Sequence, residues 1–199
     1  MSNWEPDTVL LVMALEVEAE QVLSRVKADL LLTGVGKVNA AHRLTKRLHE
    51  RRFAARPVQL VLNFGTAGSR RLPTGQTVAC RRFVQNDMDA RGLGFELGHT
   101  PYDVLAHALE FPTIFPWLPA GTCASADRFD TGHPGLECDA VDMEAYALAK
   151  VCALEDVAFG CAKYITDGAD QAAATDWLAA LPNAATAFAA LYERLFVDR

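Results

Sequence analysis

The 199-residue chain predicts a mixed α/β sheet covered by helices. Two observations carry that expectation. Short apolar, β-rich runs alternate with longer stretches of helical spacing through the first half, and the last third returns to the same alternation after a looser middle. Residues 8–14 (TVLLVMA) read as a strand, and 16–26 follow with helical spacing. Residues 30–33 are a second apolar run. Lys37–Phe53 is amphipathic, with Val38, Ala41, Leu44 and Leu48 expected inward and His42, Arg43, Lys46, Arg47 and Glu50 outward. Residues 58–64 give a third strand. In the loose middle, 78–85 reads as a strand and 102–110 as a short helix. Between them, the glycines of 86–101 (NDMDARGLGFELGHTP) predict an irregular loop, a length usually reserved for function or an interface. Residues 120–124 and 157–165 then read as strands, and 142–154 and 176–196 as helices.

Composition narrows the function classes. The length fits one domain, residues 1–199, and 51% hydrophobic with 22% charged residues argues for a globular chain. A net charge of -6 disfavours nucleic-acid and anionic-membrane partners, and the pairs Arg51-Arg52, Arg70-Arg71 and Arg81-Arg82 are scattered among apolar residues. No apolar run approaches the roughly 20 residues of a membrane span. The first residues lack a basic start and apolar centre, so a cytoplasmic location is expected. The five cysteines are widely spaced without a Cys-x-x-Cys pair, and the five histidines form no cluster with them. Reduced thiols, no metal and no cofactor are therefore expected.

Four segments place polar or small residues at strand ends, where open α/β folds keep their ligands. Residues 13–20 (MALEVEAE) put glutamates in a first helical turn, where the dipole alone would explain them. Residues 63–69 (NFGTAGS) offer either backbone N–H donors beside a flat ligand or a tight turn. In 141–148 (VDMEAYAL), a carboxylate beside Met143 could accept two hydrogen bonds from vicinal hydroxyls, or Asp142 could simply cap the helix with Glu144 in its first turn. The fourth is 166–170 (TDGAD). A carboxyl group at Asp167, partly desolvated at a strand end, could donate a proton near neutral pH, but an ordinary turn aspartate would look the same. Residues 33–37 (TGVGK) lack the spacing of a phosphate loop.

Taken in order, ALEVEAE, TGVGKVNAA, NFGTAGS, SADRF, VDMEA and ITDGAD resemble the nucleoside phosphorylase/nucleosidase superfamily, most closely its 5'-methylthioadenosine/S-adenosylhomocysteine nucleosidase branch. The resemblance spans positions 14 to 170. It implies a three-layer α/β/α fold around a mixed, partly barrel-like sheet, and hydrolysis of the N-glycosidic bond of a purine nucleoside. Carried across, it makes Asp167 the acid that protonates N7 of the leaving base, with the Thr166 hydroxyl beside it. Glu18 becomes the residue that deprotonates the attacking water. Glu144 holds the ribose 2'- and 3'-hydroxyls above Met143, Phe129 stacks on the base, and Thr66, Ala67 and Gly68 line the ribose and base. Trp177 is a candidate lid.

Relatives of this kind are homodimers, and 86–101 is a candidate for the arm that closes a neighbour's 5' pocket. Asn63 stands where phosphate-using relatives carry an arginine, and Glu18 would repel phosphate from the attack position. Arg70 and Arg71 keep phosphorolysis as the alternative, and a nucleoside-binding module without catalysis is a third. The chain is shorter than these relatives, and Asp130 and Leu15 stand where the family carries an apolar residue and a methionine. Methylthioadenosine, S-adenosylhomocysteine, futalosine-like nucleosides and hopanoid-pathway adenosyl intermediates are all compatible with the superfamily.

Overall fold

Eight strands and four helices make up the fold in the computed structural model, which describes residues 4–23, 29–129, 135–169 and 173–196. In chain order they are β1 (Val9–Met13), α1 (Glu16–Leu23), β2 (Asp29–Leu32), α2 (Lys37–Phe53), β3 (Leu60–Gly68), β4 (Thr77–Gln85), β5 (Ala108–Glu110), β6 (Ala120–Ser125), β7 (Ala140–Asp142), α3 (Ala145–Leu154), β8 (Ala158–Asp167) and α4 (Ala173–Phe196). The strands form one mixed sheet. β2 and β1 lie parallel beside β3, which then opens a ring: β3 pairs β7, β7 pairs β6, β6 pairs β4, β4 pairs β8, and β8 returns to β3. The sheet therefore closes into a five-stranded barrel-like core with a short extension.

Helices cover both sides, giving the three layers expected. Leu44 and Leu48 of α2 and Tyr146, Leu148, Val151 and Cys152 of α3 bury against Leu10, Val12 and Val61. On the opposite side Ala184, Ala185, Phe188 and Leu191 of α4 pack on Leu11, Leu60, Leu62 and Phe64. The Phe64 and Phe188 rings stack at 5.3 Å and 10°, fixing α4 to the middle of β3.

Several expectations need correction. Ala40, not Val38, completes the buried stripe of α2; Val38 is 77% exposed, because the helix turns its Ala40–Leu44–Leu48 line to the sheet. Residues 102–110 form no helix. Ala108–Glu110 pairs antiparallel with Arg82–Val84 as edge strand β5, so sheet pairing overrides the helical spacing of Leu105 and Leu109. The turn considered at 63–69 is absent too: Gly65–Gly68 continue β3. Thr166 and Asp167 likewise belong to β8 rather than to a loop, and α3 starts only after the short strand β7. Asp130 and Asp170 lie outside the described residues, as do positions 24–26 of the first expected helix.

Candidate active site

The last residues of β3 organise the site. Thr66 donates to Glu18 Oε1 twice, from its N–H at 3.2 Å and from its hydroxyl at 2.7 Å. Leu15 N–H reaches the other oxygen at 3.3 Å. Glu18 is thereby held, almost fully buried, at the start of α1. The next residue, Ala67, offers its carbonyl to the Thr166 hydroxyl at 3.4 Å. Gly68 then faces Asp167 so closely that a Cβ there would sit 2.7 Å from Asp167 Oδ1. Glycine is required for that approach, not for a turn. Gly65 has the same role one layer down, where a Cβ would stand 2.9 Å from Lys163 Nζ.

Asp167 owes its place to a shift in register. Ala67 pairs with Ile165 but Gly68 pairs with Asp167, so β8 carries one residue more than β3 at this point. An irregularity of that kind re-aims side chains, and here Thr166 and Asp167 both come to the same cavity. Thr166 Oγ1 donates to Asp167 Oδ2 at 2.7 Å, and Ala169 N–H to Oδ1 at 2.9 Å. Both oxygens are oriented, and the side chain is buried.

Glu144 arrives from the junction between β7 and α3. Asp142 Oδ2 accepts from Ala145 N–H at 2.8 Å and Ser125 Oγ accepts from Tyr146 N–H at 2.9 Å, which satisfies the first turn of α3. Glu144 is thus released from capping its own helix. Its Oε1 instead accepts from Gly36 N–H, at the start of α2, at 2.8 Å. Burial pushes the Glu144 carboxyl up to about 7, with Asp142 adding to the rise and Glu18 contributing; Lys163 and the Gly36 N–H pull the other way.

These three acids enclose a cleft of about 250 Å³. The residues to which the resemblance assigns a catalytic or binding role all line it: Glu18, Thr66, Ala67 and Gly68, Met143 and Glu144, Thr166 and Asp167 at the strand end, and Phe129 and Trp177. Phe129 is 54% exposed. The Trp177 indole N–H donates to Thr66 Oγ1 at 2.9 Å, so this candidate lid residue touches the same hydroxyl that holds Glu18. Arg70 and Arg71 do not line this cleft. They border a second cavity beyond Gly68 and Val141, where Arg71 pairs with Glu137 at 2.9 Å and Asp139 at 3.7 Å.

Lys163 is a charged residue of the cleft that sequence reasoning missed. It is 2% exposed and ion-paired to Asp142 at 2.9 Å on the floor of the cleft. Burial works against its ammonium, but Asp142, with Cys161, Cys123 and Glu144 behind it, holds its pKa well above the ordinary lysine value. The signal was a lone charge inside the otherwise apolar and small run 157–165. Among the described residues no group of three or more histidine, cysteine or acidic side chains is placed to hold a metal, and no helix is long and apolar enough to cross a membrane.

Comparison with known proteins agrees with the geometry. The family model of the phosphorylase superfamily matches residues 20–196. The 5'-methylthioadenosine/S-adenosylhomocysteine nucleosidase of Haemophilus ducreyi is 32% identical over 177 residues, 79% of this chain and 74% of its own. The Staphylococcus saprophyticus protein of the same name is 29% identical, covering 84% and 81%. Among solved structures, the Neisseria meningitidis 5'-methylthioadenosine/S-adenosylhomocysteine nucleosidase in complex with methylthio-immucillin-A superposes with a TM-score of 0.81 at 25% identity, over 94% of this chain and 97% of that one. A futalosine hydrolase mutant of Helicobacter pylori shares the fold, with a TM-score of 0.83 at 21% identity over 96% and 98%.

Proposed function

Because the chain belongs to the phosphorylase superfamily, we propose that it hydrolyses the N-glycosidic bond of a purine nucleoside, with 5'-methylthioadenosine or S-adenosylhomocysteine as substrate. One observation carries the reading: Glu18, Glu144 and Asp167, from three distant segments, line a single cleft with each carboxylate separately anchored. Breaking the bond leaves positive charge on the sugar and negative charge on the base, so the cleft must answer both. Asp167 delivers its proton to N7 as the bonding pair leaves with the base. Glu18 takes a proton from water as the oxygen bonds to C1'. Glu144 accepts the 2'- and 3'-hydroxyls and places its negative charge beside the developing cation. The sums balance: nucleoside and water give free base and free sugar, and the Glu18 and Asp167 protonation states are restored by exchange with solvent.

Water is favoured over phosphate as the nucleophile. The anchored Glu18 carboxylate would repel an oxyanion, the cleft lysine is already engaged by Asp142, and Arg70 and Arg71 border another cavity. Met143 lies beneath the sugar, Phe129 against the base, and Thr66, Ala67 and Gly68 along both. We take the whole chain as one domain acting in the cytoplasm as a homodimer, with residues 86–101 as the arm toward the partner. Incubation with methylthioadenosine in phosphate-free buffer tests the function. Free adenine with free 5-methylthioribose is expected; product formed only with added phosphate, as the sugar 1-phosphate, would make it a phosphorylase.

A further inference from the structure

Away from the cleft wall, four residues tie the sugar and base sides of the site together. Lys37 opens α2 next to Gly36. Its ammonium forms a salt bridge with Asp87 and lies 4.0 Å from Asp127 Oδ2, while its backbone N–H donates to Asp127 Oδ1 at 2.7 Å. Asp127 N–H in turn donates to Asp87 Oδ2 at 2.8 Å, which closes the knot. Burial raises the Asp87 carboxyl, but the Lys37 and Asp127 hydrogen bonds outweigh it and hold it below the usual carboxylate range. From this knot, Gly36 N–H reaches Glu144, and Asp127 lies two positions before Phe129.

We propose that Lys37, with Asp87 and Asp127, is a positioning clamp that sets Glu144 and the Phe129 segment at a fixed separation, so that sugar and base are gripped in one geometry. The inference rests on the proposed nucleosidase reading. Lys37 does not line the cleft and acts only through these neighbours. Gly36 is fixed by the same arrangement. Its φ of +96° suits glycine, and a Cβ there would come 3.1 Å from Asp127 Oδ1. Without the Lys37 charge, Asp87 and Asp127 repel each other, the 127–129 segment separates from α2, and the Gly36 N–H drifts from Glu144. The remaining charges facing Glu144 are Asp142 from β7, Lys163 from β8 and Glu18 from α1. Losing the Gly36 donor therefore favours the protonated acid.

The test compares Lys37→Met and Lys37→Arg with wild type. Lys37→Met is expected to raise KM for methylthioadenosine about tenfold while kcat changes less than about threefold, and Lys37→Arg to recover most of the loss. Carbon-13 NMR of the Glu144 carboxyl, which needs no turnover, is expected to show its titration moving to higher pH in Lys37→Met. If Lys37→Met fails to fold, Asp87→Ala removes both the Lys37 salt bridge and the acceptor of the Asp127 N–H, and is expected to move both readouts in the same direction. Wild-type KM together with a wild-type Glu144 titration in a folded variant overturns the clamp. Absence of turnover in the wild type would instead overturn the nucleosidase reading, and the NMR titration would still decide the clamp.

Discussion

Glu144 carries a charge whose state is set within the pH range of most cells. Burial, with Asp142 and Glu18 nearby, raises it to about 7 from a reference of 4.5. Because the folded protein holds this proton more tightly than the unfolded chain, its contribution to stability is full below the unfolded value and is lost as pH rises through the folded one. Between pH 4.5 and 7 that loss amounts to about 3 kcal/mol. Urea unfolding should find the free protein losing stability across this window, and Glu144→Gln should flatten the slope. Activity runs the opposite way, since only the carboxylate accepts both sugar hydroxyls; kcat/KM should climb with pH through about 7. Asp167→Asn should lower kcat by roughly 10²–10⁴ without shifting the melting temperature, since it removes the acid and keeps the shape. Glu144 and Asp167 were singled out in the sequence through the resemblance that VDMEA and ITDGAD carry, although Asp167 was expected in a loop and lies at the end of β8. Lys163 was not singled out. Its charge sits inside a buried strand, where it reads as a blemish in an apolar run until Asp142 is seen opposite.

At the scale of elements, two contacts decide whether the site assembles. The first is the approach of β3 to β8, which leaves no room for a methyl group at Gly68. Gly68→Ala should displace Asp167 and depress kcat about as far as removing the acid. The second is the buried Lys163–Asp142 pair. Lys163→Met strands a buried carboxylate and should destabilise the fold by roughly 3–5 kcal/mol in urea unfolding, whereas Lys163→Met combined with Asp142→Asn should recover part of that loss. Strands β1 and β4 and helix α2 were legible because period and length agree with their environment. β7 was not, because Ala140–Asp142 is too short to show a period and forms only through its pairing with β6 and Gly68. β5 was hidden for a related reason, its helical spacing being overruled by the edge of β4.

For the whole molecule, closure of the sheet gives the site its shape. Because β8 pairs with both β3 and β4, the ends of β3, β7 and β8 are gathered around one opening, and helices from both faces can reach into it. A mixed sheet with helices on two sides was predictable from alternating segments; its ring closure depends on partners far apart in the chain and came only with the family resemblance. Exposed Leu93, Tyr102 and Val104 lie in and just beyond the 86–101 loop, where a partner arm is proposed. Sedimentation should therefore give a particle of twice the 21.6 kDa chain mass, and Leu93→Asp should shift it toward one. The central claim, a nucleoside gripped between three anchored acids, is tested most directly by a crystal structure of Asp167→Asn soaked with methylthioadenosine. An intact nucleoside is predicted, its 2'- and 3'-hydroxyls on Glu144 and its N7 facing position 167. A nucleoside bound elsewhere, or one turned with N7 away from that position, would contradict the account.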